Sequence, residues 1–303
     1  MLASARAFFA ERGLLEVETP AMSAAAVSDP QIESLYSTVA GIAGRFFFCT
    51  SPEYAMKRLL AAGSGDIYQI GKVFRDGEHG RWHNPEFTMI EWYRLDHDDG
   101  MLMRETEALV ACLLAPHRRL AAAERLTYAQ ALRLHAGVEA GTTDERELAR
   151  AAARHGIVCE AALDRDERLD LLMGLVVGPR LGLNDTPTFI CDYPPSQASL
   201  ARIKPGSPPV AARCELYLYG VELANGFHEL NVASEQRARF ARDLEIRRDR
   251  GQREVPVDSR LLDALAAGLP DCAGVALGFD RLVALAIGAA SLRDAMAFPI
   301  ENA

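Results

Sequence analysis

The sequence predicts an α+β fold built around an antiparallel sheet, and three observations carry that prediction. Residues 67–75 (IYQIGKVFR) and 86–94 (EFTMIEWYR) both alternate as strands, joined by a polar loop containing Gly and His, which describes a hairpin with a long connection. Helical periodicity is gathered between the strands, at 101–115, at roughly 125–180 and at about 234–250. The last apolar run, 274–289, reads as a strand entering a helix with Gly278 at the junction.

From the N-terminus, residues 2–12 (LASARAFFAER) have helical apolar spacing and stop at Gly13, a natural C-cap. Residues 14–17 form a short strand ended by Thr19-Pro20. The aromatic run RFFFCT at 45–50 is a strand, and a helix starts straight after it. Ser51 suits the N-cap, Pro52 the first helical position, and Glu53 the first turn. The Ala-, Leu- and Arg-rich stretch at about 101–180 carries no cluster of chemistry. It is expected to be a helical connector or insertion within a single domain spanning 1–303. Strand character returns at 187–192 and 213–223, before the NGFHEL segment. There is no internal repeat and no low-complexity linker.

Composition narrows the function classes. The 303-residue chain has a net charge of −9, the wrong sign for a protein that lives on nucleic acid. Its most Arg-rich stretch, 237–253, is interleaved with Glu235, Asp243, Glu245 and Asp249 and reads as a solvated helix face. The six cysteines form no C-x-x-C pair, as expected of reduced thiols in a cytosolic protein. No apolar run approaches the ~20 residues of a membrane span. Arg6, Glu11 and Arg12 interrupt the N-terminal apolar residues where a signal peptide would need continuity. A soluble, cytoplasmic protein without a membrane partner is expected.

Three constellations carry chemistry. In FRDGEHGRWHNPEF, 74–87, Arg75 closes an apolar strand beside a loop holding Glu78, His79, Arg81 and His83. A strand-end Arg of this kind can grip a phosphate or carboxylate bidentately, or simply pair with a local carboxylate. Glu215, Glu222 and Glu229 recur every seven residues, an odd spacing that alternates faces on a straight strand. Tyr219-Gly220 and Asn225-Gly226 offer turn or bulge chemistry that could gather the three around magnesium, although spacing alone favours separate surface acids. In GVALGFDRLVALAIGA, 274–289, small strand residues allow close approach, and Arg281 sits in an apolar run. That Arg needs either an anion or a salt bridge to Asp280 or another acid.

In order along the chain, GLLEVETP, the Arg-led loop ending in HNPEF, ELANGFHEL and G-x-D-R resemble motifs 1, 2 and 3 of class II aminoacyl-tRNA synthetases. TSPEYAMKRLL, HNPEFTMIEWY, GVELANGFHELN and GVALGFDRL are specific to the lysyl-tRNA synthetase branch, and the likeness runs from about residue 5 to 300. Motif 1 begins about a dozen residues after Met1, so the expectation is a catalytic domain without an anticodon-binding domain. Together with YPPSQASL at 193–200, the pattern is similar to the synthetase-like paralogues that modify translation elongation factor P. It implies activation of lysine or (R)-β-lysine by ATP with Mg2+, transfer to a lysine side chain of that factor, no stable tRNA complex, and a homodimer built on motif 1. Other activities of this fold are tRNA charging without an anticodon domain, amide synthesis of the asparagine-synthetase type, or an inactive regulatory paralogue. The intact Arg75, Glu222, Glu229 and Arg281 weigh against the last.

The resemblance also implies roles. Arg75 would hold the substrate carboxylate and the α-phosphate, Arg281 the γ-phosphate, and Phe87 would stack on adenine. Asp76, Gly77, Glu78, Asn84, Leu223 and Gly278 would complete the ATP site, with Glu215 and Glu222 binding magnesium. Asn225 would lie near the substrate carboxylate, and Glu229 and Tyr93 at the side-chain ammonium. Ser51, Glu53 and Glu91 would surround the other amine. Two departures stand out. Gly77 replaces the usual motif 2 Glu, leaving Glu78 or backbone to read adenine. Ala276 stands in GVALG where the synthetases have glycine, as in GLGIG, so a shallower pocket disfavouring ordinary α-lysine is expected.

Overall fold

The structure, a computed structural model, describes residues 1–160 and 163–303; residues 161 and 162 of the expected connector lie outside the described residues. The chain forms two compact units, one made of Met1–Asp98 with Glu229–Ala303 and the other of Asp99–His228.

The first unit opens with α1 (Leu2–Ala10), β1 (Leu15–Glu16), β2 (Met22–Ser23), β3 (Tyr36–Ser37) and β4 (Phe46–Phe48). Helix α2 (Glu53–Ala61) and the long strands β5 (Ile67–Phe74) and β6 (Glu86–Leu95) follow. The expected hairpin forms: β5 and β6 pair antiparallel from Ile67↔Tyr93 to Phe74↔Glu86, and β1 adds to β5 in parallel. Alternation sends Tyr68 and Trp92 to one face. There α1 covers them with Phe9, stacked 4.4 Å from Tyr68 and tilted against Trp92 at 5.3 Å. Burying Phe9 in this way contributes roughly 1.5–3 kcal/mol. The opposite face carries Glu91 and Tyr93, so the helix that closes one side leaves the other for chemistry.

The second unit contains α3 (Asp99–Leu114), β7 (Glu124–Thr127), α4 (Tyr128–Ala136), α5 (Glu145–Arg154) and α6 (Arg165–Leu172). Strands β8 (Thr188–Tyr193), β9 (Ile203–Lys204), β10 (Val210–Leu218) and β11 (Val221–His228) complete it. Two expectations change here. The helical stretch expected from 125 opens as strand β7, parallel to β8, and turns helical only at the Thr127 capping box. The expected strand 213–223 is a hairpin. Tyr219 (φ 52°) and Gly220 (φ 73°) both adopt left-handed backbone, the signature of a tight type I′ turn.

The chain then re-enters the first unit through α7 (Ala233–Asp249), α8 (Ser259–Gly268), β12 (Cys272–Gly278) and α9 (Phe279–Ile287). Helix α8, absent from the sequence reading, is capped by Asp258, whose Oδ1 accepts from Leu261 N at 3.0 Å. The Arg-rich face of α7 is not wholly solvated. Arg247 is buried and donates to both carboxylate oxygens of Glu33 at 2.8 Å. Glu33 in turn accepts from the backbone N–H of Asp76 through its carbonyl at 2.8 Å. An apparently ordinary helix cation thus braces the base of the Arg75 loop. Strand β12 pairs antiparallel with β6 and runs into α9 at Gly278, as the sequence indicates. Both units are mixed α and β, with mostly antiparallel strands flanked by helices. No helix among the described residues is long and apolar enough to cross a membrane.

Candidate active site

The register of β6 against β12 sets out a floor. Tyr93 faces Gly274, Glu91 faces Ala276 and Met89 faces Gly278, so three small residues lie under one row of β6 side chains. Phe87, two residues before Met89, belongs to the same face. The closeness is greatest at Gly274. A Cβ built there would lie 2.2 Å from Tyr93 Cε1 and 2.7 Å from Glu229 Oε1, so the tyrosine ring and the carboxylate use the space a side chain would need.

Around that floor stand three acids. Glu91 is buried and accepts from Ser51 Oγ and from Tyr93 OH, both at 2.7 Å. Ser51 Oγ also accepts from Glu53 N at 3.0 Å, although the N-cap falls at Pro52, one residue later than the sequence suggests. Glu53 and Glu229 share one cation: Lys57 Nζ lies 2.7 Å from Glu53 Oε1 and 2.6 Å from Glu229 Oε2. Lys57 is 1% exposed and was not singled out from the sequence. Burial opposes its charge, but Glu229 and Glu53 outweigh that and raise its pKa above the ordinary lysine value. Burial also raises Glu229, with the Lys57 ammonium pulling back and Glu53 and Glu91 adding to the rise.

Glu91 titrates where it matters. Burial, reinforced by Glu53, pushes its carboxyl up to about 7, against the bonds from Ser51 and Tyr93 and the Lys57 charge. The folded state therefore holds a proton that the unfolded chain has released. The stability this gives is complete below pH ~4.5 and is lost as pH rises through about 7. Binding of a cation runs the other way, because only ionised Glu91 attracts it. Affinity for an amine substrate is expected to rise about tenfold between pH 6 and 8 and then level off. Glu91→Gln should flatten this limb; a KM profile unchanged by that substitution would exclude Glu91 as its source.

A cationic region lies at the Arg75 loop. Arg75 Nε donates to Thr50 O at 3.3 Å, its Nη1 lies 3.3 Å from Glu78 Oε1, and its guanidinium stands 5.2 Å from the Phe87 ring. Arg281, in the first turn of α9, donates from Nε to Trp82 O at 3.0 Å. Asp280 accepts from Thr88 N at 2.6 Å, tying the helix start to β6. His83 reports on both cations. Partial burial, Arg281 and Arg75 lower its pKa, against the opposing pull of Glu78. Asp76 and the left-handed Gly77 (φ 76°) form the turn between Arg75 and Glu78. Gly77 thus supplies backbone shape, and Glu78 is the acid that meets Arg75. Asn84 is buried with its amide engaged at both ends, donating to Glu86 O at 2.6 Å and accepting from Ile300 N at 3.0 Å. As placed, it braces the loop.

The remaining expected residues belong to the second unit. Glu215 pairs with Asn225 across β10–β11, and Tyr217 with Glu222, because the register shifts by one between Leu216 and Tyr217. That bulge leaves Leu223 without a partner and places Glu215 and Glu222 on one face. The odd seven-residue spacing is thereby cancelled. Neither Glu215 nor Glu229 is the separate surface acid that spacing favours; both are buried. Arg213, also missed from sequence, lies 2.5 Å from Glu215 and donates to Asn225 Oδ1 at 3.3 Å, while Tyr217 OH donates to Glu215 at 2.7 Å. Among the described residues no three His, Cys, Asp or Glu side chains form a dedicated metal cage. Two carboxylates on one face suit magnesium of the kind that completes its shell with substrate phosphates and water.

The strand-floored face, the Arg-led loop and the G-x-D-R helix start carry the segments by which the sequence resembles class II synthetases. The family model for class II tRNA synthetases (D, K and N) matches residues 1–302, and the chain belongs to that family. Within it, the chain is 48% identical to the elongation factor P–(R)-β-lysine ligase of Vibrio cholerae serotype O1, covering 100% of this chain and 94% of that one. It is 47% identical, with the same coverage, to the ligases of that name from Yersinia enterocolitica and Salmonella dublin.

Proposed function

We propose that this protein uses ATP to activate (R)-β-lysine, or lysine, as an aminoacyl-adenylate and transfers it to a lysine side chain of translation elongation factor P. The observation that carries the reading is the group of buried Glu91 and Glu229 with part-buried Glu53, gathered at Tyr93 on the sheet face that also bears Phe87. Three neighbouring acids suit a substrate with two ammonium groups, and the arginine loop suits its carboxylate and the phosphates.

Chemistry follows from placement. Arg75 holds the carboxylate beside the α-phosphate. A carboxylate oxygen attacks that phosphorus and pyrophosphate leaves, its charge met by Arg281. The nucleophile is already ionised, so this step needs no general base, and rate comes from positioning and charge neutralisation. Phe87 stacks on adenine, with Gly278 and the backbone around Asp76, Gly77 and Leu223 shaping the nucleotide site and Glu78 beside it. Asn84 acts there through the loop it braces. Glu229 and Tyr93 take the side-chain ammonium, and Glu53 and Ser51 with Glu91 the other amine. Glu215 and Glu222 would hold Mg2+, which neutralises the phosphates. In the second step the acceptor amine attacks the acyl carbon, an amide forms and AMP leaves. The protein works in the cytoplasm as a homodimer through motif 1, without a stable tRNA complex.

Incubation with ATP, β-lysine or α-lysine and purified elongation factor P should add one amino-acid residue to the factor, read by intact mass. A parallel incubation with total tRNA should yield no charged product. Tight charging with an unmodified factor would reverse the assignment.

Ala276 faces Glu91 across the sheet, so its methyl narrows the pocket at the amine end. Ala276→Gly is expected to shift the α-lysine to β-lysine exchange ratio toward α-lysine by about tenfold, within the ~1–3 kcal/mol that one methyl commands. An unchanged ratio would remove Ala276 from substrate selection.

A further inference from the structure

The amine end of the pocket contains a cation of its own. Lys57 Nζ bridges Glu53 on α2 and Glu229 on the segment after β11, two acids that come from distant parts of the sequence. Its neighbours along the helix, Met56 and Leu60, are buried apolar residues. Lys57 is thus a cation buried in an otherwise apolar helix face, held there by the two acids it meets.

From this arrangement, which rests on the diamine-activation reading above, the geometry points to Lys57 as the positioning residue that sets selectivity for a substrate with two amines. Three carboxylates crowded together, two of them buried, repel one another, and without a cation between them that repulsion favours their protonated forms. The bridging ammonium sets a positive charge between Glu53 and Glu229 and holds both in place. In formal charge, three carboxylates against the one ammonium of Lys57 leave two negative charges, the complement of two substrate ammonium groups. Lys57 touches neither ATP nor the reacting carboxylate in this scheme. It acts through the acids that do meet the substrate. Gly274 is part of the same device, because only its missing side chain admits the Glu229 carboxylate to this position.

The test uses the full-length protein and amino-acid-dependent ATP–pyrophosphate exchange, comparing lysine and β-lysine with norleucine, which lacks the second amine. Lys57→Gln keeps length and a hydrogen-bond donor but not the charge; Lys57→Arg keeps the charge. Lys57→Gln is expected to cut the preference for the diamine at least about tenfold, mainly through KM for the amino acid, with KM for ATP within about twofold. Lys57→Arg should stay within a few-fold of wild type. A stabilising shift of thermal unfolding by ATP establishes that each variant is folded, and if Lys57→Gln is not, Lys57→Met takes its place. Wild-type selectivity retained in the neutral variant, or equal loss in the Gln and Arg variants, would overturn the role of Lys57 alone. A wild-type protein with no preference for a diamine would overturn the activation reading beneath it.

Discussion

Replacing Arg75 with alanine is expected to lower amino-acid-dependent ATP–pyrophosphate exchange by on the order of 10³-fold or more, with little change in the unfolding midpoint. The asymmetry comes from where the guanidinium now rests. It is half-buried, 3.3 Å from Glu78 and 3.3 Å from the Thr50 carbonyl, contacts long enough and wet enough to add little to stability. The proposed reaction would draw far more from it. A carboxylate and an α-phosphate, both anionic, must be brought together before a bond can form, and a planar cation with parallel donors does so at fixed spacing. Arg75→Lys should therefore rescue poorly, because a point charge holds one anion but does not align two. Arg281→Ala should fall in the same direction, and retained exchange in either variant would remove that arginine from the site. Far-ultraviolet circular dichroism and ATP-induced thermal shift separate lost chemistry from lost fold.

How far this was legible in the sequence depends on whether the signal was local. The β5–β6 hairpin and the strand-to-helix junction at Gly278 were readable because each is set by alternation and by one small residue at a turn. The Arg75 loop was readable because a cation ending an apolar strand is anomalous on its face. The hairpin of β10 and β11 reads as one strand because Tyr219-Gly220 signals a turn or a bulge alike, and only the left-handed backbone at both residues decides for the turn. The same blindness made the Glu215 and Glu222 spacing look wrong. A one-residue bulge at Leu223 reverses the parity, and bulges are decided by cross-strand partners. Lys57 was lost for another reason. In MKRLL it looks like any solvated helix cation, and its burial is fixed by Glu229, which lies far along the chain. Its i,i+4 relation to Glu53 was the single sequence-level hint.

Gly274 offers the other large effect, and it separates packing from recognition. Gly274→Ala inserts a methyl 2.2 Å from Tyr93 Cε1, 2.4 Å from Cδ1 and 2.7 Å from Glu229 Oε1. Two of these contacts are to an aromatic ring wedged in a buried row, so the ring must tilt or the strands must part. Overpacking of this kind costs about 1–3 kcal/mol of stability. The loss in exchange should be greater than stability alone explains, on the order of 10²-fold, because Tyr93 OH and Glu229 are displaced together by up to about an ångström. ATP affinity should hold, since Phe87 and Arg75 lie further along the face. The double variant Gly274→Ala with Tyr93→Ala reopens the space the methyl takes. It should recover part of the lost stability while leaving diamine preference absent, for the hydroxyl that orients Glu91 is gone. Full recovery of both would mean that Tyr93 fills volume and nothing more; recovery of stability alone places the cost in packing and the selectivity in the tyrosine hydroxyl and the acids it orders.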